Sequence, residues 1–162
     1  MLWGTKIVLF LFLLWVPAKA GPVADLGAGF VEAVLKGDDE GLEKLVALSD
    51  KRKAAMLASF REAAGAIEAG AISLKAIDRE LVIGDLGVTL IKFSTKGGES
   101  DYDPLVCMKT KEGWRAVPWE NEEDARKFAA SRTSDEQIHL KLFDEWADLV
   151  VEEIAKEGAK RE

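Results

Sequence analysis

ISLKAIDRELVIGDLGVTLIKFS, residues 72–94, decides the fold. Ile72-Ser73-Leu74-Lys75-Ala76 alternates with period two, and Arg79 to Ile83 does so more loosely, which predicts extended chain. Gly84-Asp85 is a two-residue hairpin turn signal. The return segment, Leu86 to Ser94, is apolar on both faces. Leu86, Val88 and Leu90 point one way and Ile91 and Phe93 the other, which suits a strand inside a sheet rather than at its edge.

Downstream, Thr95 to Ser100 reads as a longer hairpin loop. Tyr102 to Thr110 is a third strand, with Pro104 near its start, where a lost N–H is tolerated. Lys111-Glu112-Gly113 turns into a short fourth strand, Trp114 to Val117, which Pro118 ends. Upstream the period is helical. Leu26, Phe30 and Val34 recur at i, i+4 and i+8, with Asp25 as the expected N-cap and Gly37 as the stop. Asp38 or Asp39 is expected to cap a short second helix. Ser49 or Asp50 should cap a third, which carries Met56, Leu57 and Phe60 and ends at Gly70.

After Pro118 the pattern is helical again. Asn121 should cap an acidic first turn, and Ser134-Asp135-Glu136-Gln137 has capping-box spacing. Ile138, Leu142, Phe143, Trp146, Leu149, Val150 and Ile154 form an apolar stripe, and residues 156–162 look frayed. Three helices, an antiparallel four-stranded meander and two further helices indicate an α+β domain, not a parallel doubly wound sheet.

Residues 1–20 read as a secretory signal peptide. Lys6 is the positive region. Ile7 to Val16 is an apolar run too short for a hydrocarbon core of roughly 30 Å, and Ala18-Lys19-Ala20 offers the small residues a signal peptidase reads. Cleavage is expected before Gly21, and no Cys follows it to carry a lipid. Export to the periplasm or the medium follows, with no stable membrane anchor after cleavage. Removing 20 of 162 residues leaves 142, which suits one domain.

The chain holds 22 Lys+Arg against 29 Asp+Glu. Its net charge goes from −7 to −9 on cleavage, because the leader takes Lys6 and Lys19 and no acid. Such an acidic surface opposes nucleic acid and anionic membranes. The basic cluster Lys51-Arg52-Lys53 lacks interleaved aromatics and reads as a solvated helix face. Asp78, Arg79 and Glu80 read as a charged strand edge. Cys107 is the only cysteine and sits in the apolar run 105–108, as a buried small hydrophobe would. His139 is the only histidine, which rules out H-E-x-x-H and Cys/His zinc patterns. Gly27-Ala28-Gly29 lacks the preceding strand and third glycine of a phosphate loop. No metal and no cofactor is expected.

Phe30-Val31-Glu32-Ala33-Val34-Leu35-Lys36-Gly37-Asp38 resembles the first helix of the nuclear transport factor 2-like (cystatin-like, ketosteroid isomerase-like) superfamily, with its "F-x-x-A-L-x-x-G-D". Ile83 to Val88 is similar to the "G-D-x-A-x-V" hairpin of its secreted, uncharacterised members, and Lys111 to Ala116 to their "x-x-G-x-W-K-I" last hairpin. The resemblance covers residues 23–118. Residues 21–118 are thus read as the superfamily domain and 119–162 as a helical extension, which either closes the cone mouth or forms an interface. The resemblance implies a cone-shaped sheet that holds a small apolar ligand at its open end. Enzymes of the superfamily use Asp, Tyr, His or Arg in that cone for proton transfer.

Few residues here could serve that role. Asp101-Tyr102-Asp103 is the sharpest cluster, because a Tyr–Asp couple can stabilise an enolate. The plainer reading is a solvated strand start with one aromatic packed inward. Trp114 and Trp119 bracket the last strand and could line a pocket. His139 lies on the appended helix, with nothing in the sequence to place a serine beside it. Two functions follow. The first is a non-catalytic exported domain that binds a small apolar ligand or a protein partner, a homodimer included, with Tyr102, Trp114 and Trp119 as ligand-binding residues. The second is an isomerase- or dehydratase-like enzyme that uses Tyr102 with Asp101 or Asp103.

Overall fold

The computed structural model describes residues 21–160, so the leader and its cleavage site up to Ala20 lie outside the described residues. The element order is the expected one: α1 (Pro22–Lys36), α2 (Asp39–Leu45), α3 (Asp50–Glu68), β1 (Ile72–Ile83), β2 (Leu86–Thr95), β3 (Ser100–Thr110), β4 (Gly113–Ala116), α4 (Glu122–Ala130) and α5 (Ser134–Ala159). The four strands pair antiparallel in the order β1-β2-β3-β4 and form a curved half-barrel sheet. β2 is interior, and Leu86 to Leu90 are buried without a break, as its two apolar faces require.

Strand alternation sorts the side chains onto two faces, each with its own core. On the inner face Leu105, Cys107 and Ala116 pack with Phe30, Val34, Leu42, Met56 and Leu57 of the first three helices. On the outer face Leu81, Leu86, Val88, Leu90 and Val106 pack with Phe143, Trp146 and Val150 of α5. The C-terminal stripe therefore covers the back of the sheet. Ile138 and Leu149, expected within that stripe, instead stay 55% and 40% exposed. Their helical phase turns them away from the sheet that buries Phe143 and Trp146.

Several helix ends differ from expectation in instructive ways. Asp25 lies inside the first turn of α1 rather than at its cap. The N-cap is Gly21, which has no side chain to offer, and Pro22 follows with its φ already helical. At the other end Gly37 takes φ 64°, and Asp38 N–H bonds the Ala33 carbonyl at 2.9 Å in a Schellman closure. Asp38 then caps α2 through Gly41 N–H at 2.9 Å. Ser49 occupies the N-cap of α3 without a side-chain hydrogen bond. The capping box of α5 is built from Thr133 and Glu136, one residue before the serine expected to begin it. Bonding from Thr133 holds the Glu136 carboxyl below its ordinary value. The helix continues to Ala159 instead of fraying at 156.

β1 is one strand interrupted by a bulge. Ala76 faces Ile91 and Glu80 faces Thr89, so residues 77–79 oppose Leu90 alone. Fully buried Thr89 holds that bulge. Its hydroxyl lies 3.2 Å from the Ile77 carbonyl and 2.9 Å from that of Arg79. The free edge of β4 is covered by the chain leaving α2, where Val46 bridges Ala116 and Ala47 N–H donates to the Ala116 carbonyl at 2.8 Å.

α1 crosses the inner face at very short range. A Cβ on Gly27 would lie 2.7 Å from Thr89 Cγ2, and one on Gly87 2.7 Å from Val23 Cγ2. Gly27, a poor helix former by propensity, is thus the residue that lets the helix reach the sheet. Two effects compete in Gly27→Ala: a propensity gain of about 1 kcal/mol and an overpacking cost of roughly 1–3 kcal/mol. Thr89 has no freedom to move aside, so the cost should win. Thermal unfolding should show Tm lowered by a few degrees. A raised Tm would mean that the contact yields.

Candidate functional site

Two hollows flank Phe60, one on either side of its ring. Arg52, Met56 and Phe60 follow one another every four residues along α3 and so share one stripe of the helix. Met56 is buried in the inner core, and Phe60 stands edge-on to Phe30, with ring centroids 5.3 Å apart at 84°. Leu48, just ahead of α3, and Trp119, just past β4, complete the walls of the first hollow. It is a groove of about 190 Å³ whose polar groups include Arg52, Ser59 and Glu120.

Trp119 belongs to both sides of this groove's wall. Its other side meets Phe128 of α4, centroids 6.0 Å apart, within the outer core. Arg52 closes one flank. Its Nη2 donates to Asp124 Oδ2 at 3.0 Å and to the Pro118 carbonyl at 3.4 Å. Asp124 N–H in turn donates to Asn121 Oδ1 at 3.0 Å, which caps α4. Arg52 is therefore not a purely solvated helix residue. It ties α3 to the segment that carries the chain from the inner face of the sheet to the outer one.

The second hollow, about 240 Å³, lies between the ends of α1 and α3 over Val34, Leu42 and Phe60. Arg61 bonds Asp39 across its rim through Nε and Nη2. Two of its three charged residues are thereby paired to each other, and Glu68 is the third.

The residues singled out in sequence are not brought together. Tyr102 is half-buried on the outer face, opposite Lys92, whose ammonium sits 5.8 Å from the ring centroid. Asp101 and Asp103 alternate onto the inner face, exposed at its far end, and Asp101 Oδ1 accepts from the Tyr102 backbone N–H at 2.8 Å. Desolvation, and then the charge of Asp101, raise the Asp103 carboxyl above its ordinary value. None of the three lines either hollow. Trp114 packs against the inner core, and His139 is half-buried on α5. Of the three aromatics named as ligand-binding, Trp119 alone lines the groove.

Arg79 and Glu80 also do more than charge an edge. Arg79 pairs with Glu153 of α5 at 2.6 Å, and Glu80 Oε2 accepts from the Val23 and Ala24 N–H groups at 2.7 and 2.8 Å. Arg52, Met56 and Phe60 were legible only as a helical stripe, because the groove over them exists by virtue of where residues 118–120 run.

Cys107 is inert by placement. It is fully buried, and burial first, then the charge of Glu80, push its thiol up to about 12. Since the unfolded thiol ionises near 8.5, the folded state keeps a proton that the unfolded state loses. That contribution to stability is whole below about pH 8.5 and is lost as pH rises toward 12. A thiol reagent at pH 8 should react at the rate of global unfolding. Immediate stoichiometric labelling would contradict this.

No family model and no curated protein matches the chain. Among solved structures, the chain is similar to one from Campylobacter jejuni described as an NTF2-like transpeptidase. The identity is 14%, over 59% of this chain and 96% of that one, with a TM-score of 0.42. It is also similar to a domain of unknown function with a cystatin-like fold from Nostoc punctiforme. There the identity is again 14%, over 80% of this chain and 93% of that one, with a TM-score of 0.39.

Proposed function

We propose that this is an exported, non-catalytic domain that binds a small apolar ligand in the groove over Met56, Phe60 and Trp119. The observation that carries the reading is the groove itself: apolar walls, a volume of about 190 Å³ and a guanidinium on its flank. Drug-sized ligands need about 300–1,000 Å³, whereas a dry cavity of about 150 Å³ suffices for benzene. The volume therefore favours a single ring or a short chain. Arg52 is already paired with Asp124, and Glu120 adds a second carboxylate to the lining, so the groove favours a neutral ring over an anionic one. The N-terminal leader motif supports an exported location.

The enzyme reading keeps no support from position, since Tyr102 and the two acids lie on opposite faces of β3. The outer face of the sheet covers Phe143, Trp146 and Val150 of the C-terminal stripe, so a partner protein would find only Ile138 and Leu149 of it exposed.

The groove is tested with indole, toluene and benzoate, followed by NMR shifts of the Met56 methyl and the Trp119 indole N–H. Saturable shifts with Kd of about 0.1–1 mM are expected for at least one ring. Ser59 lines the groove yet is itself exposed. Ser59→Trp should therefore occlude the site with little change in unfolding midpoint. Absence of saturation, or shifts that survive Ser59→Trp, would overturn the assignment.

A further inference from the structure

The start of α1 rests on a carboxylate from another element. Glu80, half-buried on β1, spends Oε2 on the Val23 and Ala24 N–H groups. Oε1 faces Gly21 so closely that a Cβ there would fall inside the carboxylate. Among the described residues no Lys, Arg or His pairs with Glu80. Gly21 itself is extended, at φ −133° and ψ −173°, and its carbonyl already accepts from Asp25 N–H at 2.9 Å. A half-buried carboxylate with no paired cation among the described residues thus stands against Gly21, whose nitrogen is one bond from the Cα that it faces.

We propose that removal of residues 1–20 supplies that cation, and that the new amino terminus of Gly21 docks on Glu80. This rests on the reading of residues 1–20 as a cleaved leader. Hydrolysis of the Ala20–Gly21 peptide bond by a signal peptidase consumes one water. It leaves a carboxylate on Ala20 and, after protonation, an ammonium on Gly21. Before cleavage the same nitrogen is an uncharged amide. The ammonium meets two opposing fields: the positive end of the α1 dipole repels it and the Glu80 charge attracts it. The Glu80 charge is a whole one, against about half a charge at the helix end, and it lies half-buried, so attraction wins. Processing would then tighten the attachment of α1 to the sheet, and the mature chain would be more stable than its precursor.

The test compares chains beginning at Gly21 with a free or an acetylated amine, each with Glu80 and with Glu80→Gln. The glutamine keeps an oxygen for Val23 and Ala24 but no charge. With Glu80, the free amine should raise Tm by several degrees at pH 6, and the gain should vanish as pH rises through the titration of the amine. With Glu80→Gln the order should reverse, since only the dipole remains. Equal acetylation effects in both backgrounds would overturn the pair. Where Glu80→Gln fails to fold, the pH dependence of the gain in the Glu80 chain decides alone, and a gain unchanged at pH 10 overturns it. Mass spectrometry of the protein from a secreting host judges the leader separately. A chain starting at Gly21 supports the proposal. Cleavage elsewhere overturns it while leaving export intact, and an uncleaved chain removes the export reading as well.

Discussion

A single carboxylate, that of Glu80, sets where the first helix meets the sheet. α1 begins at a glycine with no capping side chain, and its leading N–H groups would otherwise lie buried and unbonded against β1. A buried N–H without a partner costs about 1–3 kcal/mol, and a charged acceptor bonds more strongly than a neutral one. Glu80 can reach those groups because the bulge at 77–79 lets it face Thr89 in the altered register. Thr89 holds the bulge carbonyls and lies directly under Gly27. Cap, bulge, buried hydroxyl and glycine contact are therefore one assembly. A change in any of them displaces the others.

The second constraint is that the sheet is buried on both sides. The inner core needs α1 to α3, and the outer core needs the C-terminal helix, so the chain must pass around the end of β4. That passage is residues 117–121, held to α3 by Arg52 and to α4 by the Asn121 cap. The groove is a by-product of the passage. The segment covers the stripe of α3 without filling the space above Met56, and Trp119 forms its wall by belonging to the outer core. The Arg79 pairing with Glu153 and Glu157 adds an electrostatic link between β1 and the far end of α5. Those partners are exposed and contribute little to stability by themselves.

Most of the architecture was legible because local signals and global fold agree. The Gly84-Asp85 turn, the doubly apolar β2, the Gly37 and Asp38 punctuation and the Asn121 cap each act within a few residues. What was not legible depends on contacts far apart in sequence. Glu80 caps a helix 56 residues upstream, and nothing local separates it from a solvated edge charge. Gly27 reads as a weak helix residue until Thr89 is placed beneath it. The capping box slipped by one residue because Thr133 with Glu136 and Ser134 with Gln137 both have its spacing. The site was harder still. Tyr102 and its acids stood out by chemistry, yet strand alternation alone parts them, whereas Arg52, Met56 and Phe60 carry no signal beyond helical spacing.

Amide hydrogen exchange at Val23 and Ala24, read by NMR in the native chain and in Glu80→Ala, tests the central claim most directly. Loss of the carboxylate should cost about 1–2 kcal/mol of stability. It should also abolish protection at those two amides and along the first turn of α1, while Phe143 and Trp146 of α5 keep theirs relative to global unfolding. Unchanged protection at Val23 and Ala24 would show that α1 is held by packing alone and that Glu80 is incidental to the fold.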